Sequence, residues 1–254
     1  MCQLIHKYRA IFTALVVFIA LSASGTESRA QVTFLTDRDE YIANHPDQLV
    51  QTFEDGNVAP GGETFCDTVL INSSSDDPCF DPGDILPGLE FFSNPTFGSF
   101  YLVGAHDNGH PNPRNGLGRQ TDGKNEFIEI TLPPPGVLSA GVTTGCFDGE
   151  PPCNGVSLFQ VYGAGGVLLD EITIPVTDEL ETFIGFDSTT PVERVTVSDF
   201  QGNATVEAVT EVRFDQPVNP IPALSEWAMI AAAAGLGLVG VWFTVRRRRA
   251  SSAA

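Results

Sequence analysis

Val156-Ser157-Leu158-Phe159-Gln160-Val161-Tyr162, then Gly163-Ala164-Gly165-Gly166, then Val167-Leu168-Leu169-Asp170-Glu171-Ile172-Thr173-Ile174 is the stretch that decides the fold. Both arms are rich in β-branched and aromatic residues, and a glycine turn separates them, so the segment predicts a β-hairpin. Moving outward, Phe127 to Leu132 sets Ile128, Ile130 and Leu132 against Glu129 and Thr131, the period of a strand with one buried face. Thr182 to Phe186, Val192 to Val197 and Thr205 to Phe214 continue the series. In the last, alternation puts Val206, Ala208, Thr210, Val212 and Phe214 on one face, with Glu207, Val209, Glu211 and Arg213 on the other. Earlier in the chain, Val32 to Leu35, Leu49 to Phe53, Leu89 to Phe92 and Phe97 to Val103 are further strand candidates. Two polar stretches, Asn57 to Gly88 and Gly104 to Asn125, exceed ordinary loop length and are candidate binding loops or surface excursions. No long amphipathic helical pattern and no internal repeat interrupts this reading. Short strands, 25 Gly and 18 Pro predict an all-β domain, a sandwich or barrel.

The two ends belong to export rather than to the fold. Lys7 and Arg9 precede an apolar run from Ala10 to Ala23, too short to span a bilayer comfortably. Small residues at Ser28 and Ala30 then offer a cleavage site before Gln31, so residues 1–30 read as a signal peptide and signal peptidase as a partner. At the other end, Trp227 to Val245 carries no charge; a helix of that length rises about 28 Å, close to a hydrocarbon core of about 30 Å. Arg246, Arg247, Arg248 and Arg249 follow at once and are expected to stay cytoplasmic, which places residues 250–254 inside and everything upstream outside. A single C-terminal transmembrane helix at 227–245 is therefore expected, joined to the ectodomain by a linker at 215–220.

Ectodomain and linker together, residues 31–220, retain 30 of the 32 acidic residues and 6 of the 13 basic ones, a formal net charge of −24. That charge excludes nucleic acid and anionic lipid as partners; it suits solubility or divalent cations. Cys2 leaves with the signal peptide, so four cysteines remain, and an even number in an exported domain predicts two disulfides. Three pairings are open. Cys66–Cys79 and Cys146–Cys153 are favoured because each closes a short loop rich in Pro and Asp. No Cys-x-x-Cys spacing supports zinc instead.

Ile221-Pro222-Ala223-Leu224-Ser225-Glu226-Trp227, followed by the apolar span and the four arginines, closely resembles the IPTL-CTERM sorting signal, a relative of the PEP-CTERM tail of exported Gram-negative proteins. The family pattern reads Ile-Pro-Thr-Leu-Ser-Glu-Trp-Gly, and this chain departs from it at Ala223 and Ala228. The resemblance covers residues 221–249. It implies an exosortase-like processing enzyme as partner, the membrane as first destination, and the cell surface or extracellular matrix as the last. Pro222 blocks helix upstream and leaves an extended segment for such an enzyme to engage.

The ectodomain, residues 31–214, more weakly resembles the β-sandwich domains that precede such tails. Thr52-Phe53-Glu54-Asp55, Phe183-Ile184-Gly185-Phe186-Asp187-Ser188 with Val192 to Val197, and Val209-Thr210-Glu211-Val212-Arg213-Phe214 carry the likeness. It implies a jelly-roll-like sandwich, and, by analogy with jelly-roll carbohydrate-binding modules, a calcium ion held by an early and a late acidic residue. Glu54, Asp55 and Glu211 are the candidate ligands by position, although Thr210 stands where the family often has an acid. Asp76, Asp77, Asp81 and Asp84 form a second acidic cluster. Hard cations want several oxygens, but no ordered ligand spacing is present, and solvated acidic loops account for the same residues.

His106 and His110 have the spacing of helical zinc ligands, yet Gly109 and Pro111 forbid a regular helix there. No Gly-x-Ser-x-Gly and no phosphate-binding glycine loop occurs, and chance carboxylate pairs are unavoidable among 30 acids. Phe91, Phe92, Phe97, Phe100 and Tyr101 offer a sugar-stacking platform or core packing. The leading expectation is a non-catalytic surface or matrix module that binds glycan. A structural component of extracellular polymer and an exported hydrolase are the alternatives.

Overall fold

The computed structural model describes residues 31–93, 99–106, 112–119, 127–147, 154–177, 179–199 and 206–216. The signal peptide, the linker from residue 217, the sorting tail and the Trp227–Val245 span lie outside the described residues, as do His110, Phe97 and Cys153. Among those described, no helix is long and apolar enough to cross a membrane.

The strands are β1 (Val32–Leu35), β2 (Leu49–Thr52), β3 (Glu63–Phe65), β4 (Leu70–Asn72), β5 (Glu90–Ser93), β6 (Phe100–Val103), β7 (Gly116–Arg119), β8 (Phe127–Thr131), β9 (Val137–Phe147), β10 (Asn154–Gly163), β11 (Leu168–Thr177), β12 (Thr182–Asp199) and β13 (Val206–Phe214). One helix, α1 (Arg38–Asn44), sits between β1 and β2. Every described pairing is antiparallel, so the expected all-β class holds. The glycine-turn hairpin forms as expected. Val156 stands opposite Pro175 and Gln160 opposite Glu171, with Gly165 and Gly166 at φ +69° and +76°, where a side chain would be strained.

The strands divide into two layers that share β12. In layer one the order is β2–β13–β9–β12–β1, and β7, β6 and β3 extend it alongside the start of β13. In layer two the order is β4–β5–β8–β12–β10–β11. Residues Thr182–Asp187 of β12 pair with β9, and Arg194–Ser198 pair with β8. Thr182 to Phe186 and Val192 to Val197, expected as two strands, are thus halves of one strand that passes from layer to layer. Pro191, which has no N–H to give a ladder, stands between the two halves.

The core lies between the layers. Layer one contributes Val142, Ile184, Phe186, Val209, Val212 and Phe214; layer two contributes Phe91, Ile128, Ile130, Phe159, Val161, Val195 and Val197. Phe34 meets Phe159 edge-on at 6.2 Å, and Phe53 meets Phe91 at 5.4 Å, across the interior. Each fully buried Phe is worth about 1.5–3 kcal/mol in transfer terms.

Two departures from the alternation reading matter for the site. β13 carries a bulge between Val209 and Glu211, so Val209, Val212 and Phe214 all reach the core. Ala208 instead packs with Tyr101, Val103 and Leu180 in a small second cluster. The strict two-face assignment of this strand fails because a bulge inserts one residue and shifts the pleat. The long strand β9 was not expected at all. Its Ala140 and Val142 enter the core, while Gly141 and Gly145 face outward beneath other parts of the chain. A Cβ on Gly141 would come 2.5 Å from Phe183, and one on Gly145 would come 2.5 Å from the Thr177 carbonyl oxygen. Both faces of β9 are therefore covered, and close approach selects glycine.

Candidate functional site

Helix α1 is nucleated locally. Asp37 is its N-cap, accepting from the Glu40 N–H at 3.0 Å, and Asp39 and Glu40 occupy the first turn, where carboxylates suit the helix dipole. The helix lies on the outer face of layer one. Tyr41 is fully buried there, and its ring fills the space that Gly185 leaves open. Burial raises the Tyr41 phenol above its ordinary range, partly opposed by its hydrogen bonds with Gln48 and Ser139.

Seating Tyr41 places Arg38, at the first helical position, over β13. There the bulge turns Glu211 outward from the core but under α1, and the residue is only 2 % exposed. Arg38 Nη2 donates to both Glu211 oxygens at 3.0 and 2.9 Å. Arg114 Nη1 donates to Oε2 at 3.0 Å, and Arg213 Nε donates to Oε1. Three of the ectodomain's six basic residues thus converge on one carboxylate. Burial alone would raise the Glu211 pKa; hydrogen bonds and charge from Arg213 and Arg38 outweigh it, and the carboxyl titrates below its ordinary value.

The three candidate calcium ligands are not gathered into a shell. Glu211 has its oxygens engaged by guanidinium groups, which supply the positive charge a metal would bring. Glu54 is exposed and accepts from the Asn115 N–H at 3.1 Å, while Asn115 Nδ2 donates to the Phe53 carbonyl at 3.3 Å. Glu54 therefore fixes the loop that delivers Arg114. Asp55 is exposed.

A cavity of about 120 Å³ opens beside this cluster, lined by Arg38, Arg114, Thr143, Leu180, Glu181 and Thr210. Arg38 Nε and Thr143 Oγ1 are both buried and without a hydrogen-bond partner. Thr210 is satisfied, donating to the Leu180 carbonyl at 3.1 Å. Sequence reading singled out only Glu211 of this group. Arg38 was hidden on an unexpected seven-residue helix, and nothing in a linear pattern brings Arg114 to β13.

The second acidic cluster is a loop builder. Asp77 Oδ1 accepts from the Cys79 and Phe80 N–H groups at 2.8 and 3.1 Å, and Asp84 Oδ2 accepts from the Asp81 N–H at 2.7 Å. Gln51 docks this loop, accepting from the Leu86 N–H at 2.6 Å and donating to the Asp84 carbonyl at 3.0 Å. Asp76 is exposed. Cys66 and Cys79 form the expected disulfide, with Cα atoms 5.0 Å apart. Among the described residues the one grouping of three potential metal ligands is Cys66, Asp77 and Cys79, and its two sulfurs are bonded to each other. Cys146 lies on β9, but its side chain, like Cys153, is outside the description.

Among the described residues the aromatic platform does not form. Phe91 and Phe100 are in the main core and Tyr101 is in the second cluster. Phe92 alone of the described set turns toward the outside of layer two. His106 sits exposed in a turn at φ +61°, its N–H donating to the Asn112 carbonyl.

The outer face of layer two carries a different polar surface. Register aligns Phe92, Glu129, Thr196, Gln160 and Glu171 in one row across five strands. Gln160 donates to Glu171 at 2.8 Å and accepts from Tyr162 at 2.9 Å. Arg194 donates to Glu129 at 2.8 Å and lies 4.2 Å over the Tyr162 ring. A cleft of about 530 Å³ adjoins this face, lined by Gly88, Glu90, Thr131, Leu132, Pro134 and Glu193. Ordered donors and acceptors around a partly buried ring suit a ligand rich in hydroxyl groups.

No curated protein matches the chain. Among solved structures, a glycoside hydrolase family 43 arabinoxylan arabinofuranohydrolase from Bacillus subtilis, in complex with cellotetraose, aligns at 13 % identity with a TM-score of 0.31. The alignment covers 58 % of this chain and 33 % of that one, so this chain spans about a third of that enzyme. The C-terminal segment gives the specific result: residues 219–249 match the IPTL-CTERM motif, so the chain ends in the sorting tail that marks exported, surface-sorted proteins.

Proposed function

We propose that the protein is a non-catalytic module of the cell envelope or extracellular matrix that binds neutral glycan on the outer face of layer two. The layers support a jelly-roll reading. Four strands of one layer run β2–β13–β9–β12 and four of the other run β8–β12–β10–β11, with the chain crossing between layers at β8 to β9, at β9 to β10, at β11 to β12, within β12 and at β12 to β13. The observation that carries the ligand assignment is the cleft at Glu90 and Thr131 together with the hydrogen-bonded row beside it. Sugar hydroxyls exchange well with Gln160 and Glu129, and Tyr162 offers at their edge the part of its ring that Arg194 leaves uncovered. Glycan-array binding by the full-length protein, lost in Tyr162→Ala and Gln160→Ala, is the expected outcome. Binding unchanged by both variants sinks the assignment.

Delivery follows from the tail. The apolar span at 227–245 anchors the protein with its ectodomain outside the inner membrane until an exosortase-like enzyme processes it. In a host that contains such an enzyme, the wild-type chain is expected to lose its C-terminal mass, whereas chains with Pro222→Ala and Glu226→Ala keep it. Wild-type protein that keeps its tail intact there counts against the sorting step.

A second reading has one observation in its favour. Glu90 and Glu193 line the same cleft, and glycoside hydrolysis needs two carboxylates across a bond. Turnover of a glycoside panel that disappears in Glu90→Gln and Glu193→Gln would favour it over simple binding.

A further inference from the structure

We propose that the cavity under Arg38 on the outer face of layer one is a binding site for a carboxylate group. It is separate from the layer-two face and does not depend on the glycan reading. Two residues that line the cavity carry unmet demands. Arg38 has spent its Nη2 on Glu211, but its Nε is buried without a partner. Thr143 Oγ1, on a residue 3 % exposed, is likewise unpartnered. A buried donor left unmade is costly, so native structures rarely keep two in one small space unless something else fills it.

Chemistry narrows the filler. A guanidinium can only donate, so the occupant must accept. Three arginines face a single carboxylate, Glu211, which leaves two formal positive charges; Glu181 at the rim returns one negative charge. A cation is therefore repelled and a monoanion is favoured. A cavity of about 120 Å³ has room for about four waters at ~30 Å³ each, or for one small anionic group. Arg38 Nε, the Thr143 hydroxyl and the outer edge of Arg114 present donors enough for the two oxygens of a carboxylate. A phosphate dianion would bring a third oxygen and a second charge toward Glu181. Leu180 and Thr210 form the remaining wall, suited to the carbon that bears the carboxylate.

Two sources present this group: a small free acid, or a uronate residue of an acidic polysaccharide. The test uses full-length protein in detergent at fixed ionic strength. Acetate, glucuronate, inorganic phosphate and glucose are titrated by calorimetry, with melting temperature followed in parallel. Saturable binding of acetate or glucuronate, with phosphate and glucose weaker, supports the site. Glucuronate tighter than acetate identifies the sugar acid as source, and equal affinity identifies the free acid. Thr143→Val is nearly isosteric and removes only an unpartnered hydroxyl, so it should fold at least as well as wild type while binding weakens about tenfold, the loss of one charge-assisted hydrogen bond. Arg38→Lys, which lacks Nε, should weaken binding at least as much. Phosphate equal to or tighter than the carboxylates, no saturable binding, or unchanged affinity in the well-folded Thr143→Val protein overturns the proposal.

Discussion

Replacing Glu211 by glutamine tests the central charge cluster directly. The substitution keeps the shape but removes the charge, and it sets an amide NH₂ donor against guanidinium groups that cannot accept from it. Removing one partner from a buried ion pair costs about 3–5 kcal/mol. Here the three guanidinium side chains are 16–38 % exposed, so water relieves part of the loss, and about 2–3 kcal/mol is the expected cost. For a domain of this size each kcal/mol moves the melting temperature by about 2–4 °C, which predicts a fall of about 5–10 °C at pH 7. The pH dependence carries the mechanism. Glu211 titrates below its ordinary value of 4.5 in the folded protein, so its contribution is present above that value and is lost as pH falls through the folded pKa. Melting curves of wild type and Glu211→Gln should therefore converge under acid. A variant that melts within 2 °C of wild type at pH 7, or a gap that does not narrow under acid, would refute the reasoning.

Two further outcomes follow from the same structure. Replacing both Cys66 and Cys79 with serine opens a loop with a sequence separation of 13 residues, which predicts a loss of about 3 kcal/mol and a lower urea midpoint at nearly unchanged slope. An unmoved midpoint would mean that the Asp77 turn already holds the loop in the unfolded ensemble. Gly145→Ala pushes a methyl to 2.5 Å from the Thr177 carbonyl oxygen and 2.6 Å from Leu180 Cα, a backbone obstacle that predicts a loss of about 1–3 kcal/mol. Gly163→Ala meets only the flexible Leu169 side chain at 3.2 Å, so it should stay within about 1 kcal/mol of wild type. Equal denaturation midpoints for the two glycine variants would contradict the packing described for β9.

What could be read in advance was whatever local alternation records. Ile128, Ile130 and Leu132 point inward as their period requires, and the Gly163–Gly166 turn closes the hairpin. Cys66 and Cys79 pair across the loop their neighbours suggested. The unread parts are those whose environment is supplied from far along the chain. β9 shows Ser139, Gly141, Thr143 and Gly145 because Tyr41, Phe183 and Leu180 cover its outer face, and a strand buried on both sides loses its alternation. The bulge at Thr210 moved Val209 into the core and Ala208 and Thr210 out of it, positions that period two does not give. The arginine cluster spans separations of 173 and 97 residues, so no window of sequence contains it.

The two outer faces are closed to different degrees, and this decides which can take a long ligand. On layer one, α1, the Leu180 turn and the β6–β7 extension occupy the surface of β9 and β13, leaving a cavity sized for a single group. The chain also leaves from this layer. Asp215, just after β13, accepts from Ser139 at 2.6 Å and from Gln48 at 3.2 Å, so the linker begins pinned beside α1. On layer two, the described side chains of the central row bond to one another rather than to a covering element. A polymer lying along the strands therefore meets fewer obstacles on layer two, while a terminal or branching acid group is what layer one can admit. If one polysaccharide carries both, Thr143→Val should remove only the acid-dependent part of its affinity and Tyr162→Ala only the remainder. Losses that each abolish all binding would mean one site, and the division of labour between the layers would be wrong.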